Sequence, residues 1–461
     1  KTKITYASQS MNSELDVPGI ENANIVGRDM HTISRKNISR SALKVLYRLS
    51  GAGFNAYIVG GGVRDLLLEK KPKDFDVATN ATPKEIKYLF KNARVIGRRF
   101  TIVHIRFGKE IIEVTTFRAD HAPQNEISGN MSARKMKDFD SAHSEEGMIL
   151  RDNVYGNIDE DARRRDFTVN ALYYTTDGFR LLDFNSGLED LKAKQIRMIG
   201  DPNERYKEDP VRMLRAIRFS AKLGFSIEEN TKRPIDELSY LLDSVSSARL
   251  FDETLKLMIG GYAEKTFAML RDYQLGTYLF SPTLEALEEA DSNSAKLVDL
   301  ALRSTDERLA EGKSVTPSFL FAALLWPVFR LNIAENKNLG LAPQQSFDKA
   351  AEFAINEQLG YTAIPRRFTA AMKEIWELQN KLKTRSKRSV ERVFSNPRFR
   401  AAYDFLLLRE ASGEELNGLG QWWTKFQACN AKEREDLLVS ANNKKRRFTK
   451  KRKATHTANR A

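Results

Sequence analysis

The apolar positions of this chain change period along its length, and the change marks out its parts. Ala42, Val45, Leu46 and Leu49 recur at helical spacing from Ser41, which predicts a helix closing at Gly51-Ala52-Gly53. Ala56–Val59 reads as a short strand that runs into Gly60-Gly61-Gly62, and Val63–Leu68 resumes as a helix. Phe75–Val77 is a strand, and Thr82 is placed to cap a helix that starts at Pro83 and continues to Phe90. Thr101–Phe107 and Glu110–Phe117 predict a hairpin turning at Gly108-Lys109. Residues 119–147 are polar without a period and read as a long flexible loop. Phe167–Tyr174 suits a helix or the start of a strand, and a hairpin-like stretch follows to Phe184. From Asp190 onward the spacing is helical almost throughout, around Leu214, Leu255, Leu302, Leu324 and Phe405. The pattern therefore predicts an α+β head followed by a long all-helical part.

Composition narrows the class. The chain has 461 residues, 41% of them hydrophobic and 30% charged, which excludes a wholly disordered or fibrous chain. A lone cysteine, Cys429, excludes an internal disulfide and gives the expectation of a cytoplasmic protein. The longest apolar run, Phe319–Phe329, is too short for a bilayer, so no transmembrane segment is expected. The five histidines are scattered without ligand spacing, which argues against a Cys/His metal site.

The net charge of +14 is unevenly placed. Nine basic residues and no acid fall in 444–461: Lys444, Lys445, Arg446, Arg447, Lys450, Lys451, Arg452, Lys453 and Arg460. Nine taken from fourteen leaves +5 for the first 443 residues. Such a tail suits a sequence-independent grip on nucleic-acid phosphates, although a solubilising role would use the same residues.

The candidate chemistry lies in Gly60-Gly-Gly-Val-Arg-Asp65 and Asp74-Phe-Asp76. Residues two apart on a strand share a side, so Asp74 and Asp76 would present paired carboxylates. Like charges at that range are costly unless a cation sits between them, and a hard ion such as Mg2+ prefers oxygen ligands together with substrate phosphates. The glycines would let a phosphate approach the backbone closely, with Arg64 as a cation beside it. Neither a GxxxxGK[ST] loop nor a GxGxxG turn is present. Glu113 is an acid in an otherwise apolar, β-branched strand and is the candidate third carboxylate. Taken singly, an Asp-x-Asp pair is usually surface, triple glycine usually a turn, and Glu113 an edge residue. Their occurrence in strand–turn–helix–strand order favours a site.

A second cluster begins at Glu208-Asp209-Pro210. Arg212, Arg215, Arg218 and Lys222 follow at spacings of three, three and four, beside an apolar stripe of Val211, Leu214, Ile217 and Ala221. The face is either a solvated basic surface or an anion site, since four cations would repel without a counter-charge. Glu208 and Asp209 could bond a base or brace the arginines. Asp161–Asp166 forms a further charged group. Trp422-Trp423 could stack bases, but helix packing is the better reading.

These pieces resemble the class II nucleotidyltransferases, which comprise CCA-adding enzymes and bacterial poly(A) polymerases. The motifs are GGGVRD (60–65), DFD (74–76), RRDFTVNAL (164–172) and EDPVRMLRAIRF (208–219). Through KPKDFDVATNATP, VIGRRFTIVHIRFG, EIIEVTTFRA, LRDNVYG and NPRFRAAYDFLLLR, the resemblance is nearest to the poly(A) polymerases and covers about 31–430. It implies a DNA polymerase beta-like head at 31–185, after a mobile arm at 1–30. A helical neck at 186–245, a helical body and RNA-binding region at 246–440 and a disordered basic tail at 441–461 would follow. It implies template-independent transfer of AMP from ATP to RNA 3′ ends, with pyrophosphate released and with a part in RNA turnover. Asp74, Asp76 and Glu113 would be catalytic and hold two Mg2+ ions, and Asp166 is a further functional acid. Gly60, Gly61, Arg64, Asp65, Arg165, Asn170, Arg215 and Arg218 would contact the nucleotide, and Asp209 and Arg212 would read the base edge. The implied partners are ATP, the 3′ ends of mRNA, small RNA or tRNA, and RNA-turnover proteins. CCA addition shares every local motif and is the alternative; a noncatalytic RNA-binding head is disfavoured by the intact Asp74/Asp76 pair.

Overall fold

In the computed structural model, the described residues are 17–97, 101–119, 141–143, 149–152, 154–289 and 291–439. Two units divide the chain, Lys1–Leu241 and Leu242–Ala461.

The first unit is built on an eight-stranded sheet. Its strands are β1 (Asn24–Val26), β2 (Ala56–Val59), β3 (Asp76–Thr79), β4 (Ala93–Ile96), β5 (Ile102–Phe107) and β6 (Glu110–Thr116), with two later strands. Between β6 and those two, β7 (Ser141–His143) and β8 (Ile149–Asp152) pair as a separate antiparallel ribbon. The later strands are β9 (Leu172–Tyr174) and β10 (Leu181–Asp183), and the sheet order is β1-β10-β9-β2-β3-β6-β5-β4. All neighbours are antiparallel except β3 and β6, which run parallel with Asp76 opposite Glu113.

Helix α1 (Arg40–Ser50) packs on β2, β3 and β6 through Ala42, Val45, Leu46 and Leu49, all fully buried. Each of the two leucines contributes about 1.5–3 kcal/mol by leaving water. Helix α2 (Gly61–Leu67) follows β2, and α3 (Pro83–Leu89) opens with the expected Thr82 cap, closed into a capping box by Glu85. Next come α4 (Ile158–Arg164), α5 (Gly187–Ala193), α6 (Pro202–Glu208) and α7 (Val211–Leu223).

Several expectations need correction. The arm proposed for 1–30 is not an arm from residue 17 onward. Val17 is buried in the core beside Tyr57 and Tyr173, β1 extends the sheet against β10, and Asn22 donates to Asp159 at 2.7 Å. Residues 1–16 lie outside the described residues. Part of the loop expected at 119–147 is β-structure, because Ser141–His143 has Ile149–Asp152 as a partner; 120–140 and 144–148 are outside the described residues. Strand β4 went unread because its exposed Arg94, Val95 and Ile96 show no alternation. No division separates head from neck at 185. Hydrogen bonds from Thr168 to Asp190, from Arg205 to the carbonyls of Arg164 and Arg165, and from Arg215 to Asp166 join them into one unit.

The second unit is helical, from Ser247–Met258 to Leu419–Ala428 and on to residue 439. The apolar run at 319–329 spans two helices, Pro317–Leu324 and Trp326–Asn338, bent by 50°. Among the described residues no single helix is long and apolar enough to cross a membrane. Most of this run is buried; Trp376 stacks on Phe329 at 4.6 Å and donates to the Ala322 carbonyl. Trp423 is fully buried and donates to the Leu382 carbonyl at 3.0 Å, while Trp422 stacks on Phe426 at 5.2 Å. Both tryptophans pack helices, as their sequence context suggested. The basic tail from Lys444 to Lys453 lies outside the described residues.

Candidate active site

Where β2 ends, Gly60 turns the chain with φ 71 and ψ −140, a conformation that side chains other than glycine rarely adopt. A Cβ at Gly60 would lie 3.8 Å from Asp76 Oδ2 and 3.9 Å from Arg165 Nη1. The bare backbone is therefore within contact range of both a carboxylate and a guanidinium. Only Gly60 makes this turn, since Gly61 and Gly62 already belong to α2. Gly62 is needed for closeness: its Cβ would sit 3.2 Å from the Phe75 ring and 3.4 Å from the Asp74 carbonyl.

Asp76 begins β3, whereas Asp74 lies just before the strand and is exposed. The two therefore do not share a strand face by register, as the spacing had suggested. They are still electrostatically close. Burial, then Glu113, then Asp74 push the Asp76 carboxyl up to about 6, against the opposing pull of Arg165. Glu113 is half exposed, and its Oε1 is 3.1 Å from His104 Nε2. Among the described residues no three His, Cys, Asp or Glu side chains form a preformed metal cage. An all-oxygen set of this kind fits Mg2+, which takes one or two protein carboxylates and completes its shell with substrate phosphates and water.

Arg165 is held from behind. Its Nε donates to the Tyr173 hydroxyl at 2.7 Å and its Nη2 to Asp161 Oδ2 at 3.0 Å. The buried Tyr173 hydroxyl donates to the same Asp161 oxygen at 2.6 Å. Nη1 is the nitrogen that approaches Gly60.

Beside this, Asp65, Arg64, Asn170, Asp166 and Arg215 form one chain of hydrogen bonds. Arg64 is 1% exposed; it donates through Nε and Nη2 to Asp65 and through Nη1 to Asn170 at 2.6 Å. Asn170 Nδ2 reaches Asp166 Oδ1 at 3.3 Å, an oxygen that also accepts from the Phe167 amide. Asp166 Oδ2 accepts from Arg215 through Nε, at 2.7 Å, and through Nη2. Burial works to raise the Asp166 carboxyl, but Arg215 and these donors outweigh it and hold it at about 2. Arg64 and Asp166 are thus braces here, each engaged within the protein, and not a loose cation and a free catalytic acid.

The arginine face of α7 has its counter-charge from other elements, and Glu208 is one brace, as the sequence allowed. Arg215 has Asp166, Arg212 has Glu208 at 2.7 Å, and Lys222 lies 4.0 Å from Asp65. Phe219 adds a ring faced by the guanidiniums of Arg64, Arg215 and Arg218, at 5.4, 5.4 and 4.8 Å. Asp209 is buried at the end of α6, and its carbonyl accepts the Arg212 amide at 2.9 Å.

Sequence reading missed Tyr173, Phe219 and Arg205. Tyr173 and Phe219 looked like ordinary core positions. Arg205 sits in Glu204-Arg205-Tyr206-Lys207-Glu208, which reads as a charged helix surface. Asp161 alone had a signal, four residues before Arg165 on a charged segment.

Comparison with known proteins shows the family of the chain. A family model described as "Poly A polymerase head domain" matches residues 56–197. Others, "Probable RNA and SrmB- binding site of polymerase A" and "Polymerase A arginine-rich C-terminus", match 224–287 and 339–458. Poly(A) polymerase I of Salmonella typhimurium is 46% identical over 419 residues, covering 90% of this chain and 88% of that protein. A CCA-adding enzyme of Lactobacillus helveticus is 35% identical over 287 residues, covering 59% and 65%. The crystal structure of the Bacillus stearothermophilus CCA-adding enzyme in complex with CTP shares the fold, with a TM-score of 0.52 at 23% identity over 82% of this chain and 81% of that one. Because the similarity to the poly(A) polymerase runs through both units while that to the CCA-adding enzyme covers only 59% of the chain, this protein belongs to the bacterial poly(A) polymerase I family.

Proposed function

We propose that the chain is a template-independent polynucleotide adenylyltransferase, which adds AMP from ATP to RNA 3′ ends and releases pyrophosphate. The observation that carries the chemistry is the convergence at Gly60, whose absent Cβ would touch both Asp76 and Arg165, with Glu113 in register with Asp76. A triphosphate entering there meets a bare backbone and a guanidinium already oriented by Tyr173 and Asp161, so little reorganisation is needed when charge develops.

The RNA 3′ oxygen attacks the α-phosphorus; the bond to the bridging oxygen breaks, pyrophosphate leaves, and the hydroxyl proton passes to solvent. Asp74 and Asp76, with Glu113 beside them, would hold two Mg2+ ions, which when bound lower the pKa of the attacking hydroxyl and offset charge on the leaving group. Arg165 and Arg215 face the triphosphate, Arg215 being fixed by Asp166. Arg212 and Asp209 face the adenine edge in place of a template. RNA is gripped through its phosphates, in part by the tail at 444–453, which suits 3′ ends of varied sequence. Action on cytoplasmic transcripts, alongside proteins of RNA turnover, belongs to the same reading.

CCA addition is the second reading, since the head motifs serve both. The test supplies ATP or CTP with a tRNA lacking its CCA end and with an unrelated RNA. Long A-tails on both RNAs are expected; C incorporation confined to the tRNA would overturn the proposal.

A further inference from the structure

Arg205 is 6% exposed, yet it carries a full guanidinium into the interior of the first unit. Its Nη2 donates to two main-chain carbonyls, Arg164 at 2.6 Å and Arg165 at 2.7 Å. Its Nη1 donates to Glu208 Oε2 at 2.5 Å. That same oxygen accepts from Arg212 Nη1 at 2.7 Å, and Arg212 Nη1 also bonds the Arg205 carbonyl at 2.7 Å. Arg205 Nε is buried and makes no hydrogen bond among the described residues. Burial and the neighbouring Arg212 lower the Arg205 guanidinium to about 10. A buried cation with an unsatisfied nitrogen costs stability, so a purely structural role would be served better by an apolar side chain.

The arrangement has a geometric consequence. The carbonyls of 164 and 165 belong to the segment that carries Arg165 to Gly60. Glu208 belongs to the segment that sets Arg212. One rigid fork therefore fixes the distance between the triphosphate side and the base side of the site. A lysine, with a single nitrogen, cannot make all three contacts in this geometry.

We propose that Arg205 is a positioning residue for nucleotide selection: it registers Arg212 against Arg165, so that a purine of adenine's hydrogen-bonding pattern fits while the triphosphate is seated. The inference rests on the reading that Arg212 and Asp209 face the base. A site built to hydrogen-bond one partner discriminates strongly only while its polar groups are held in place. Loosening Arg212 lowers productive binding of the correct base more than that of the wrong ones, which use fewer of those contacts.

The experiment measures kcat/KM for ATP, CTP, GTP and UTP on one unstructured RNA primer, for the wild-type chain and Arg205→Lys, with thermal unfolding of each. The expected result is a fall in the ATP-to-CTP preference of about tenfold or more in a variant still folded at the assay temperature. An equal loss for all four nucleotides, or an unchanged preference, overturns the inference. Arg205→Gln, which keeps a donor for one carbonyl, is the second variant. If neither variant folds, Arg205 is a folding determinant alone and the selection role is rejected. A wild-type chain that adds no AMP would instead overturn the proposed function, and this inference with it.

Discussion

Asp76 and Glu113 stand directly opposite each other on β3 and β6, the single parallel pair of the eight-stranded sheet. Register alone puts two acids side by side, and burial makes their repulsion costly: the Asp76 carboxyl rises to about 6. The ionised pair is therefore disfavoured until a cation joins it.

Asp76→Asn removes that repulsion together with a proposed metal ligand. AMP incorporation should fall by at least roughly 10²–10³-fold. Thermal unfolding without divalent ions should be unchanged or shifted upward, since the neutral amide no longer opposes Glu113. Near-normal incorporation would remove Asp76 from the reaction.

The Asp166–Arg215 pair makes a pH-dependent contribution to stability. The folded carboxyl, at about 2, lies below its ordinary 3.8, so the contribution is complete above about pH 4 and disappears as pH falls through about 2. Its size is about 2 kcal/mol. Urea unfolding of the wild-type chain and Asp166→Asn should differ by that order at pH 7, and the gap should close between pH 4 and 2. A gap that is constant with pH would contradict the pairing. The same variant should raise the KM for ATP, because Arg215 loses its anchor.

Tyr173→Phe deletes the hydroxyl that joins Arg165 to Asp161 while keeping the ring. Leaving those buried groups short of a partner should cost about 1–3 kcal/mol in chemical unfolding. Steady-state kinetics should show a higher KM for ATP, as Nη1 of Arg165 is less firmly directed to Gly60. An unchanged KM would mean that the Asp161 contact alone suffices.

Truncation after Asn443 removes the basic residues of the tail. RNA affinity measured against salt concentration should drop. The slope of log K on log salt should flatten by about 0.7 for each phosphate of single-stranded RNA that the tail had neutralised. An unchanged slope would reassign the tail to solubility.

Much of this site is local in the sequence. The Thr82 cap, the Gly60 turn, the Asp76 and Glu113 strands and the α7 stripe each depend on residues within a few positions of one another, so pattern and turn chemistry reveal them. Strand β1 and the β7–β8 ribbon are too short to show a period, and their partners lie far along the chain or across a polar stretch. Asp74 does not share a strand face with Asp76, because β3 starts two residues later, at Asp76.

The sequence by itself determined an α+β head, a helical remainder, the candidate acids of the site and the family. What only the tertiary structure decided is which charges oppose which. Arg215 finds Asp166 across 49 residues, Arg64 finds Asn170 across 106, and Arg205 finds the carbonyls of 164 and 165 across about forty. Periodicity says which way a side chain points from its own element. It carries no information about what the closed chain places in front of it, and in this site that opposing group sets which residue each arginine holds in place.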